Sequence, residues 1–493
     1  MARRFTRREL LKKAAIAAGA AAGARMFPAP YLLAERSPNS KLATVLIGCG
    51  GRGSGSHLPE AAREKLVAVV DVDESKTGKA LDWMSKNAEK FKITDFKPSS
   101  VKIYNDYRKL FDEMAKGIDA VFIATPNHHH ALPALIAMKL GKGVYVEKPM
   151  CHLIWEARQM AEFATKYKVA AQMGNQGHCG EGYRVLCEYI WAGAIGKVAE
   201  VHCWSDRSNG GTGPRPPTEP PPKGMHWEEW IGPSPYRDYH KDLHPHEWHG
   251  WYDFGNGSLG NMACHVMDGA VWALKLKWPT TIEAEQILGG TDERCPAGCR
   301  LRYDFPARGD MPAVKLFWWD GKKPGVKDSG LVEGEAANPD SSVLGKPEKT
   351  VSKTAQNRPP LVAELEKKYD RKLDTNGTVY IGDKGMMYSG CYGGGVSFFP
   401  PDLKEKIPAP PKSLPRVKGS FQDFLEKVHA GKTDTAAGFD YSSILTEIVI
   451  LGNLAQKAGV GKKVEWDGPN MKCTNLPALN EYVKREYRKG WTV

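Results

Sequence analysis

Residues 43–73 read ATVLIGCGGRGSGSHLPEAAREKLVAVVDVD, and this segment determines the architecture expected of the chain. Residues 45–47 form a short apolar run typical of a buried strand, and Gly48, Gly50 and Gly53 follow it with the spacing G-x-G-x-x-G. A second apolar run, residues 66–70, ends in Asp71. We therefore predict a strand, a sharp glycine turn, a helix and a second strand, the first unit of a doubly wound parallel sheet.

The glycine segment also predicts a dinucleotide site. In this spacing the first glycine permits the tight turn, the second lets backbone N–H groups approach a pyrophosphate, and the third allows close packing of helix on strand. Gly51 and Arg52 lie in the same loop, and the helix N-terminus adds positive potential. Asp71 can accept hydrogen bonds from both ribose hydroxyls and would repel a 2′-phosphate, which favours NAD over NADP. The alternative is a simple tight turn with Asp71 as a cap at the strand end.

The first 34 residues differ in kind from the rest. A basic region precedes an Ala/Gly-rich segment at 14–24, as in an export signal, and its basic residues are Arg3, Arg4, Arg7, Arg8, Lys12 and Lys13. The sequence TRRELLK at 6–12 looks like a twin-arginine signal, whose pathway carries folded proteins. We expect residues 1–34 to be a signal peptide and the mature protein to be periplasmic or extracellular. A basic disordered arm is the alternative.

Composition narrows the functional classes. The chain has 493 residues and a net charge of +12, and residues 1–34 contain seven basic side chains against one acidic side chain. Removal of that segment leaves about +6, which argues against nucleic acid as a partner. Since no run of eighteen apolar residues follows the N-terminus, we expect no membrane-spanning helix in the mature protein. The ten cysteines are scattered and show no disulfide framework.

The pattern of apolar runs predicts an α/β protein with two main domains. Short runs alternate with helical segments over residues 41–150, which predicts a Rossmann-type parallel sheet. Residues 151–410 contain longer strands, typical of a second α/β domain with a large, open and mostly antiparallel sheet. Within it, residues 322–372 are polar and rich in Pro, Gly and Lys, which predicts a surface insertion. Helices in residues 416–493 are expected to pack back on the first domain, ahead of a tail.

Polar side chains follow the predicted parallel strands, at the edge where open α/β sheets bind ligands. The segments are TPNHHH at 125–130, EKP at 147–149 and GNQGH at 174–178. From them we expect cofactor contacts by Thr125, Pro126, Asn127, His130, Glu147, Lys148, Asn175 and Gln176. The three consecutive histidines could instead form a turn in which at most one side chain faces the site.

Lys148 is the first candidate for proton transfer. It stands at a strand end beside the expected nicotinamide position, where an amine can hydrogen-bond a substrate hydroxyl and share its proton. A surface ion pair with Glu147 is the alternative.

His265 is the second candidate, on a predicted helix over residues 260–274. Asn261, Asp268 and Trp272 share its helical face at the spacing i, i+4, i+7 and i+11. Histidine is suited to accept a hydroxyl proton near neutral pH while a hydride leaves the same carbon. A buried structural histidine is the alternative.

These motifs resemble the glucose–fructose oxidoreductase and inositol dehydrogenase family, usually written Gfo/Idh/MocA. The similar segments lie between residues 43 and 466: the glycine loop, ATPNHHH at 124–130, VEKPM at 146–150, QMGNQGH at 172–178, AGAIGKVAEV at 192–201 and GSLGNMACHVMD at 257–268. The aromatic middle and IGDKGMMYSGCYGG at 381–394 resemble an exported branch common in environmental bacteria. The resemblance implies oxidation of a pyranose or polyol, with Lys148 and His265 as proton-transfer residues.

One position departs from the family pattern. Dehydrogenases of this family usually carry aspartate four residues before the histidine, where this chain has Asn261. An amide can still orient the imidazole by accepting its N–H, but it stabilises imidazolium less than a carboxylate does. Asp268 could supply that charge, so Asn261 and Asp268 are both catalytic candidates.

Three functional hypotheses follow. The first is an NAD-dependent oxidoreductase with tightly held cofactor, acting on a secondary hydroxyl of a sugar, polyol or glycoside. Its expected substrate contacts are Lys148, His178, Tyr183, His246, Trp248 and His265. The second is a redox-neutral NAD-dependent glycosidase or lyase that oxidises a ring hydroxyl transiently, with Tyr183 or a histidine as base at the neighbouring carbon. The third is a non-catalytic sugar-binding relative.

Two further expectations concern metals and partners. His240, His244, His246 and His249 could meet at zinc, but hydrogen bonding to substrate by one or two of them is favoured, so we predict no metal site. Beyond the export machinery and a small sugar or glycoside, the expected partner is a second copy of the chain, in a dimer or tetramer formed through the second domain's sheet.

Overall fold

Six parallel strands form the first sheet of the structure, a computed structural model that describes residues 40–321 and 356–493. In chain order they are β1 (Ala43–Ile47), β2 (Lys65–Val70), β3 (Lys102–Tyr104), β4 (Ala120–Ile123), β5 (Gly143–Glu147) and β6 (Ala171–Gly174). The order across the sheet is β3-β2-β1-β4-β5-β6, which confirms the doubly wound prediction and places a ligand crevice where β1 and β4 end. Because one more crossover adds β6, the sheet extends past the boundary predicted at residue 150.

Helices cover both faces of this sheet. They are α1 (Leu58–Arg63), α2 (Glu74–Asn87), α3 (Tyr107–Met114), α4 (Ala131–Lys139) and α5 (Ile154–Tyr167). Val45 and Ile47 belong to one buried cluster, whereas Leu46 belongs to another on the opposite face. Because side chains alternate along a strand, a sheet covered on both faces needs the continuous apolar run seen in β1.

Nine strands form the second sheet. They are β7 (Val198–Ser205), β8 (Thr281–Leu288), β9 (Gly298–Phe305), β10 (Val314–Asp320), β11 (Gly377–Gly382), β12 (Gly385–Gly390), β13 (Ser397–Phe399), β14 (Lys463–Asp467) and β15 (Lys472–Cys473). Their order is β13-β12-β11-β7-β10-β9-β8-β14-β15. All neighbours run antiparallel except β7 and β10, which confirms a mostly antiparallel sheet.

The remaining helices all follow the first sheet in the chain. They are α6 (Glu181–Trp191), α7 (Trp227–Ile231), α8 (Cys264–Ala273), α9 (Pro360–Lys368), α10 (Leu403–Lys406), α11 (Ser420–His429) and α12 (Phe439–Ala458). As expected, the C-terminal helices pack on the first domain: the ring of Phe424 in α11 lies 5.5 Å from that of Phe122. No helix in the described ranges is long and apolar enough to cross a membrane.

The predicted surface insertion is partly built into the second domain. Its residues 322–355 lie outside the described residues, as does the predicted signal segment. In α9, however, Val362 and Leu365 are buried in one cluster with Trp204 and Trp319. The end of the segment is therefore core rather than surface, because every third or fourth residue of α9 faces the sheet.

Several buried histidines are held neutral. The Nε2 atoms of His128 and His129 lie 2.8 and 2.9 Å from the carbonyl oxygen of Trp230, where α7 packs on the first domain. Burial lowers the pKa of His57, His129 and His240 from the ordinary 6.5 to about 4 in each case, and that of His152 to about 3. Each of these imidazoles therefore takes up a proton on unfolding at acidic pH.

We predict that the protein loses stability steeply as the pH falls below about 6.5. In that range the unfolded chain protonates these four histidines and the folded chain does not, so each lowers the free energy of unfolding by about 1.4 kcal/mol per pH unit. Burial raises the pKa of Asp71 and Asp320 to about 6, and it also raises the pKa of Glu156 and Asp423, which acts in the opposite direction. The histidines outnumber these groups, because burial also holds the pKa of His128, His249 and His265 well below its usual value. Urea unfolding should show a midpoint that falls progressively from neutral to acidic pH.

A pair of variants checks the cause of this pH dependence. His129→Gln removes one buried titrating group, so the urea midpoint should fall less steeply with decreasing pH, whatever the effect of the substitution on stability at neutral pH. His246→Gln is the control, since that side chain is 63% exposed. A midpoint that stays constant or rises on acidification would contradict the prediction.

Candidate active site

The glycine loop after β1 leaves a cradle for a pyrophosphate. Gly48 has a φ of +93°, and a Cβ placed on it would lie 2.5 Å from the oxygen of Ala124. A Cβ on Gly53 would lie 1.9 Å from the oxygen of Gly48, whereas a Cβ on Gly50 would meet nothing within 4 Å. Packing thus requires the first and third glycines, and the second faces open space. These are the three roles expected of a dinucleotide loop.

Asp71 is fixed beside this loop at the end of β2. Its Oδ2 accepts a hydrogen bond from the N–H of Cys49 at 2.7 Å, and its Oδ1 accepts one from the N–H of Asp73 at 2.9 Å. A carboxylate has about four acceptor positions, so it retains capacity for ribose hydroxyls. Its pKa, raised to about 6 by burial, still leaves it largely ionised at neutral pH.

Two predicted cofactor residues carry buried polar atoms that await a partner. Among the described residues, Thr125 Oγ1 and Gln176 Oε1 are buried without a hydrogen bond. They lie after β4 and β6, at the carboxyl edge of the sheet. An orphaned buried polar atom is costly, and a ligand that pairs with it removes that cost. The edge therefore fits a bound dinucleotide.

Other residues predicted to contact the cofactor instead brace this edge. Buried Glu147 accepts a hydrogen bond from Arg52 Nε at 2.9 Å and lies 3.3 Å from His57 Nε2. Burial alone would raise its pKa, but the positive charges of Arg52 and Lys148, joined by His57 once acid protonates it, lower it to about 2. The glycine loop is thereby tied to the residue that precedes Lys148.

Asn127 and His130 also serve as supports. Asn127 Nδ2 donates to Asn256 Oδ1 at 3.1 Å. The ring nitrogens of His130 each lie 2.8 Å from a backbone carbonyl, those of Pro149 and Thr125. His130 thus links the ends of β4 and β5 directly below Lys148, and all three consecutive histidines are buried.

Lys148 reaches across to the second domain. Its Nζ donates to Asn261 twice, to the backbone oxygen at 2.8 Å and to Oδ1 at 3.2 Å. Asn261 Nδ2 in turn donates to Asn209 Oδ1 at 2.7 Å. The expectation that Asn261 orients His265 is therefore wrong. Asn261 lies in a π-helical turn (Leu259–Ala263) ahead of α8, and the wider turn breaks the simple α-helical spacing to His265.

His265 is oriented by Asn175 instead. His265 Nδ1 lies 2.8 Å from Asn175 Oδ1, and Asn175 Nδ2 donates to the oxygen of Cys264 at 3.0 Å, which fixes the amide. Because an amide oxygen only accepts, Nδ1 carries the proton and Nε2 has a lone pair. Burial, helped by the charges of Lys148 and Arg52, holds the pKa of His265 well below its usual value. The imidazole is a neutral base.

Three predicted site residues, one on α8 and two packed against it, are held in contacts inside the core. His178 Nδ1 lies 2.9 Å from Asp268 Oδ1, to which Tyr441 also donates at 2.5 Å. Tyr183 is fully buried and donates to the backbone oxygen of His265. The expectations of substrate contact by His178 and Tyr183, and of a charge on His265 from Asp268, are therefore wrong. Residues three apart diverge by about 60° around a helix, so Asp268 faces the core.

The histidine-rich segment contributes a different residue from the ones predicted. His246 is exposed, and Trp248 is buried and stacks on His249 with ring centroids 3.6 Å apart. Burial and then the charges of His246 and Lys148 lower the pKa of His249, which places His249 within electrostatic range of Lys148. His249 is thus the residue of this segment that interacts electrostatically with Lys148, and nothing in its spacing distinguished it from its neighbours.

The four histidines considered for zinc do not converge. His244 Nε2 lies 3.2 Å from Asp73 Oδ2, His249 Nδ1 lies 2.8 Å from the oxygen of His246, and His240 packs edge-on against Trp251. Across residues 40–321 and 356–493, no cluster of three or more potential ligand side chains could hold a metal ion. All ten cysteines are free thiols.

Sequence comparison identifies both domains. Residues 42–175 match the family model GFO_IDH_MocA, described as an oxidoreductase family with an NAD-binding Rossmann fold. Residues 203–287 match the model of the C-terminal α/β domain of the same family. The first match ends at β6, in agreement with the extent of the parallel sheet.

Individual curated proteins match only part of the chain, two of them at 30% identity or less. Inositol 2-dehydrogenase of Salmonella paratyphi B is 30% identical over 166 residues, 33% of this chain and 45% of that protein. A glycosyl hydrolase family 109 protein of Solibacter usitatus is 27% identical over 204 residues, 39% and 44% of the two chains. The chain thus spans less than half the length of these curated relatives.

A solved structure shares the fold across both domains. It is the WlbA dehydrogenase of Bordetella pertussis in complex with NADH and UDP-GlcNAcA, with a TM-score of 0.51 and 15% identity, covering 86% of this chain and 98% of that chain. Together with the two family models, this places the fold without ambiguity. Residues 42–175 thus resemble the NAD-binding Rossmann domain of the Gfo/Idh/MocA oxidoreductase family, and residues 203–287 resemble its C-terminal α/β domain.

Proposed function

We propose that the protein is an NAD-dependent oxidoreductase that acts on a secondary hydroxyl of a sugar, polyol or glycoside and holds its cofactor tightly. One observation carries the proposal. Lys148 and a neutral His265 meet at the carboxyl edge of the NAD-binding sheet, and each is aligned by an asparagine side chain. This arrangement suits removal of a proton from a hydroxyl group.

The protein's own residues handle the proton. NAD, when bound, supplies the acceptor for the hydride of the carbinol carbon. His265 Nε2 accepts the hydroxyl proton, because Nδ1 is committed to Asn175. Lys148, held on two oxygens of Asn261, donates a hydrogen bond to the same hydroxyl oxygen and stabilises the negative charge that develops there.

Asparagine at position 261 is compatible with this chemistry. The partner of the imidazole is Asn175, so the role expected of an aspartate four residues before His265 does not fall on position 261. The amide oxygen of Asn261 accepts a hydrogen bond from Lys148, which needs no carboxylate for this contact. The NH2 group of Asn261 donates to Asn209 Oδ1, a contact that an aspartate at position 261 could not make. This arrangement favours a functional enzyme over a non-catalytic sugar-binding relative.

A redox-neutral glycosidase is the second candidate. The match to a glycosyl hydrolase family 109 protein favours it. Such a reaction requires a further base at the carbon next to the oxidised one. Tyr183 is buried and donates its hydroxyl to the backbone oxygen of His265, so it does not qualify, and His249, which interacts electrostatically with Lys148, is the remaining candidate.

Contacts next to Asp71, where we expect the adenosine end of NAD to bind, support tight binding of the cofactor. The N–H of His226 donates to the oxygen of Val72 at 2.8 Å, and Met225 bridges to Asp73. His244 adds a side-chain contact to Asp73 at 3.2 Å. The segment around residues 224–244 therefore lies next to the carboxylate of Asp71, whose charge favours NAD over NADP.

We also propose export and self-association. The twin-arginine sequence at 6–12 supports export of the folded protein to the periplasm or beyond. On the outer face of the nine-stranded sheet, half-buried Arg302 pairs with Glu283 at 3.0 Å and with Glu285 at 3.3 Å. Such an ordered polar sheet face suits contact with a second copy of the chain.

Turnover is tested with a panel of sugars, polyols and glycosides added to the purified protein, following the absorbance of reduced nicotinamide. We expect a lasting rise with at least one compound. Lys148→Met and His265→Asn should each lower kcat/KM by a factor of about a hundred or more while retaining bound nucleotide. Consumption of a glycoside without lasting reduction would favour the redox-neutral reaction. Absence of both nucleotide and turnover would overturn the proposal.

The cofactor cradle is tested by two glycine variants. Gly50→Ala points a methyl group into open space, so we expect unchanged thermal stability but NAD binding weakened by about tenfold or more, because the methyl group occupies the pyrophosphate approach. Gly53→Ala should lower the melting temperature, since its Cβ meets the backbone of Gly48. Calorimetric titration with NAD measures the difference, and normal binding by Gly50→Ala would refute the placement.

Cofactor retention is tested by His244→Ala, which removes the contact to Asp73. We expect faster loss of bound NAD during dialysis, measured as nucleotide released on subsequent denaturation. His429→Ala is a matched control, because His429 makes a similar contact to Glu64 at 2.9 Å away from the crevice. Equal retention in both variants would contradict a holding role for the segment.

A further inference from the structure

Tyr392, on the turn between β12 and β13, stands beside the catalytic histidine. Its ring centroid lies 4.6 Å from that of His265, with the planes at 57°. Tyr392 is half-buried, whereas His265 is buried. The tyrosine ring therefore forms a wall of the site next to the proton acceptor, contributed by the second domain's sheet.

The backbone of Tyr392 adopts an unfavourable conformation. Its φ and ψ are 62° and 18°, the left-handed region that bulky side chains rarely occupy. Other non-glycine residues with positive φ include Lys168, which ends α5, a position where this conformation is common. Tyr392 ends no helix of that kind, and strain retained at such a place points to a functional constraint.

Two glycines allow the turn of Tyr392 to pack closely against the segment that follows Asn175 and against the start of α6. A Cβ on Gly177 would lie 2.7 Å from the Cα of Tyr392, and a Cβ on Gly182 would lie 1.8 Å from the oxygen of Gly393. Gly177 belongs to the turn that follows Asn175, the residue that orients His265. The turn of Tyr392 is therefore locked against the support of the catalytic imidazole, and its side chain has little freedom to move elsewhere.

We infer that Tyr392 is a substrate-contacting residue that packs its ring against the sugar whose hydroxyl His265 deprotonates. This inference rests on the proposed function. An aromatic face binds the C–H surface of a sugar ring, and a rigid side chain does so at small entropic cost. Tyr392 touches the substrate and positions it, while the proton transfer stays with His265 and Lys148.

Four variants separate the ring from the backbone, assayed with whichever compound of the panel the wild-type protein turns over. Tyr392→Phe keeps the ring and should hold KM within about threefold of wild type, whereas Tyr392→Ala and Tyr392→Gly should raise KM by about tenfold, with kcat changing less. Glycine also relieves the backbone strain, so Tyr392→Gly should unfold at a higher temperature than Tyr392→Ala. Lys168→Gly, which relieves a left-handed residue far from the site, should leave KM unchanged.

The outcomes are distinct. If Tyr392→Gly restores wild-type KM while Tyr392→Ala does not, the position acts through its backbone and the inference falls. Unchanged KM in both variants, with wild-type turnover intact, also overturns it while leaving the proposed function standing. Failure of the wild-type protein to turn over any compound overturns the inference together with the proposed function.

Discussion

The site depends on one constraint: α8 must lie across the carboxyl edge of the parallel sheet. Two asparagine contacts enforce it, Lys148 with Asn261 and His265 with Asn175. Each joins a residue at a strand end of the first domain to the helical segment of the second. The two groups that we propose to handle the proton therefore come into register only when both domains have folded and packed, and neither domain forms the site alone.

Burial sets the chemistry of this edge. His265 is held neutral by its surroundings and by nearby positive charge, so it is available as a base well below the usual titration range of histidine. The carboxylate of Glu147, which precedes Lys148, is kept ionised by the charges of Arg52 and Lys148, and its contact with Arg52 links the glycine loop to the end of β5. The same exclusion of water that tunes His265 also keeps His57 and His129 unprotonated, so activity and acid stability share one physical origin.

Asn261 illustrates how the partner expected from a sequence pattern can differ from the partner in the structure. The sequence pattern suggested that a neutral amide at this position would orient the imidazole but stabilise imidazolium less than a carboxylate does. In the structure the imidazole is oriented by Asn175, and Asn261 holds the lysine. Asp268, the carboxylate considered for that role, contacts His178 and accepts from Tyr441 inside the core. On α8, His265 faces the site and Asp268 faces the core, because the two side chains leave the helix in different directions.

The sequence by itself determined the doubly wound sheet and the NAD-binding domain, and it singled out Lys148 and His265 as candidates for proton transfer. These depend on local rules: apolar periodicity, the glycine spacing required by a tight turn, and polar residues directly after buried strands. Only the tertiary structure decided which partner each polar residue meets. Because of the π-helical turn before α8, Asn261 contacts Lys148 rather than His265. Tyr183 and His178 are buried and make their contacts inside the core. The second sheet places Tyr392 next to His265, although the two residues are far apart in the chain. Contacts between residues more than a hundred positions apart leave no periodic signal in the chain, because packing rather than spacing selects them.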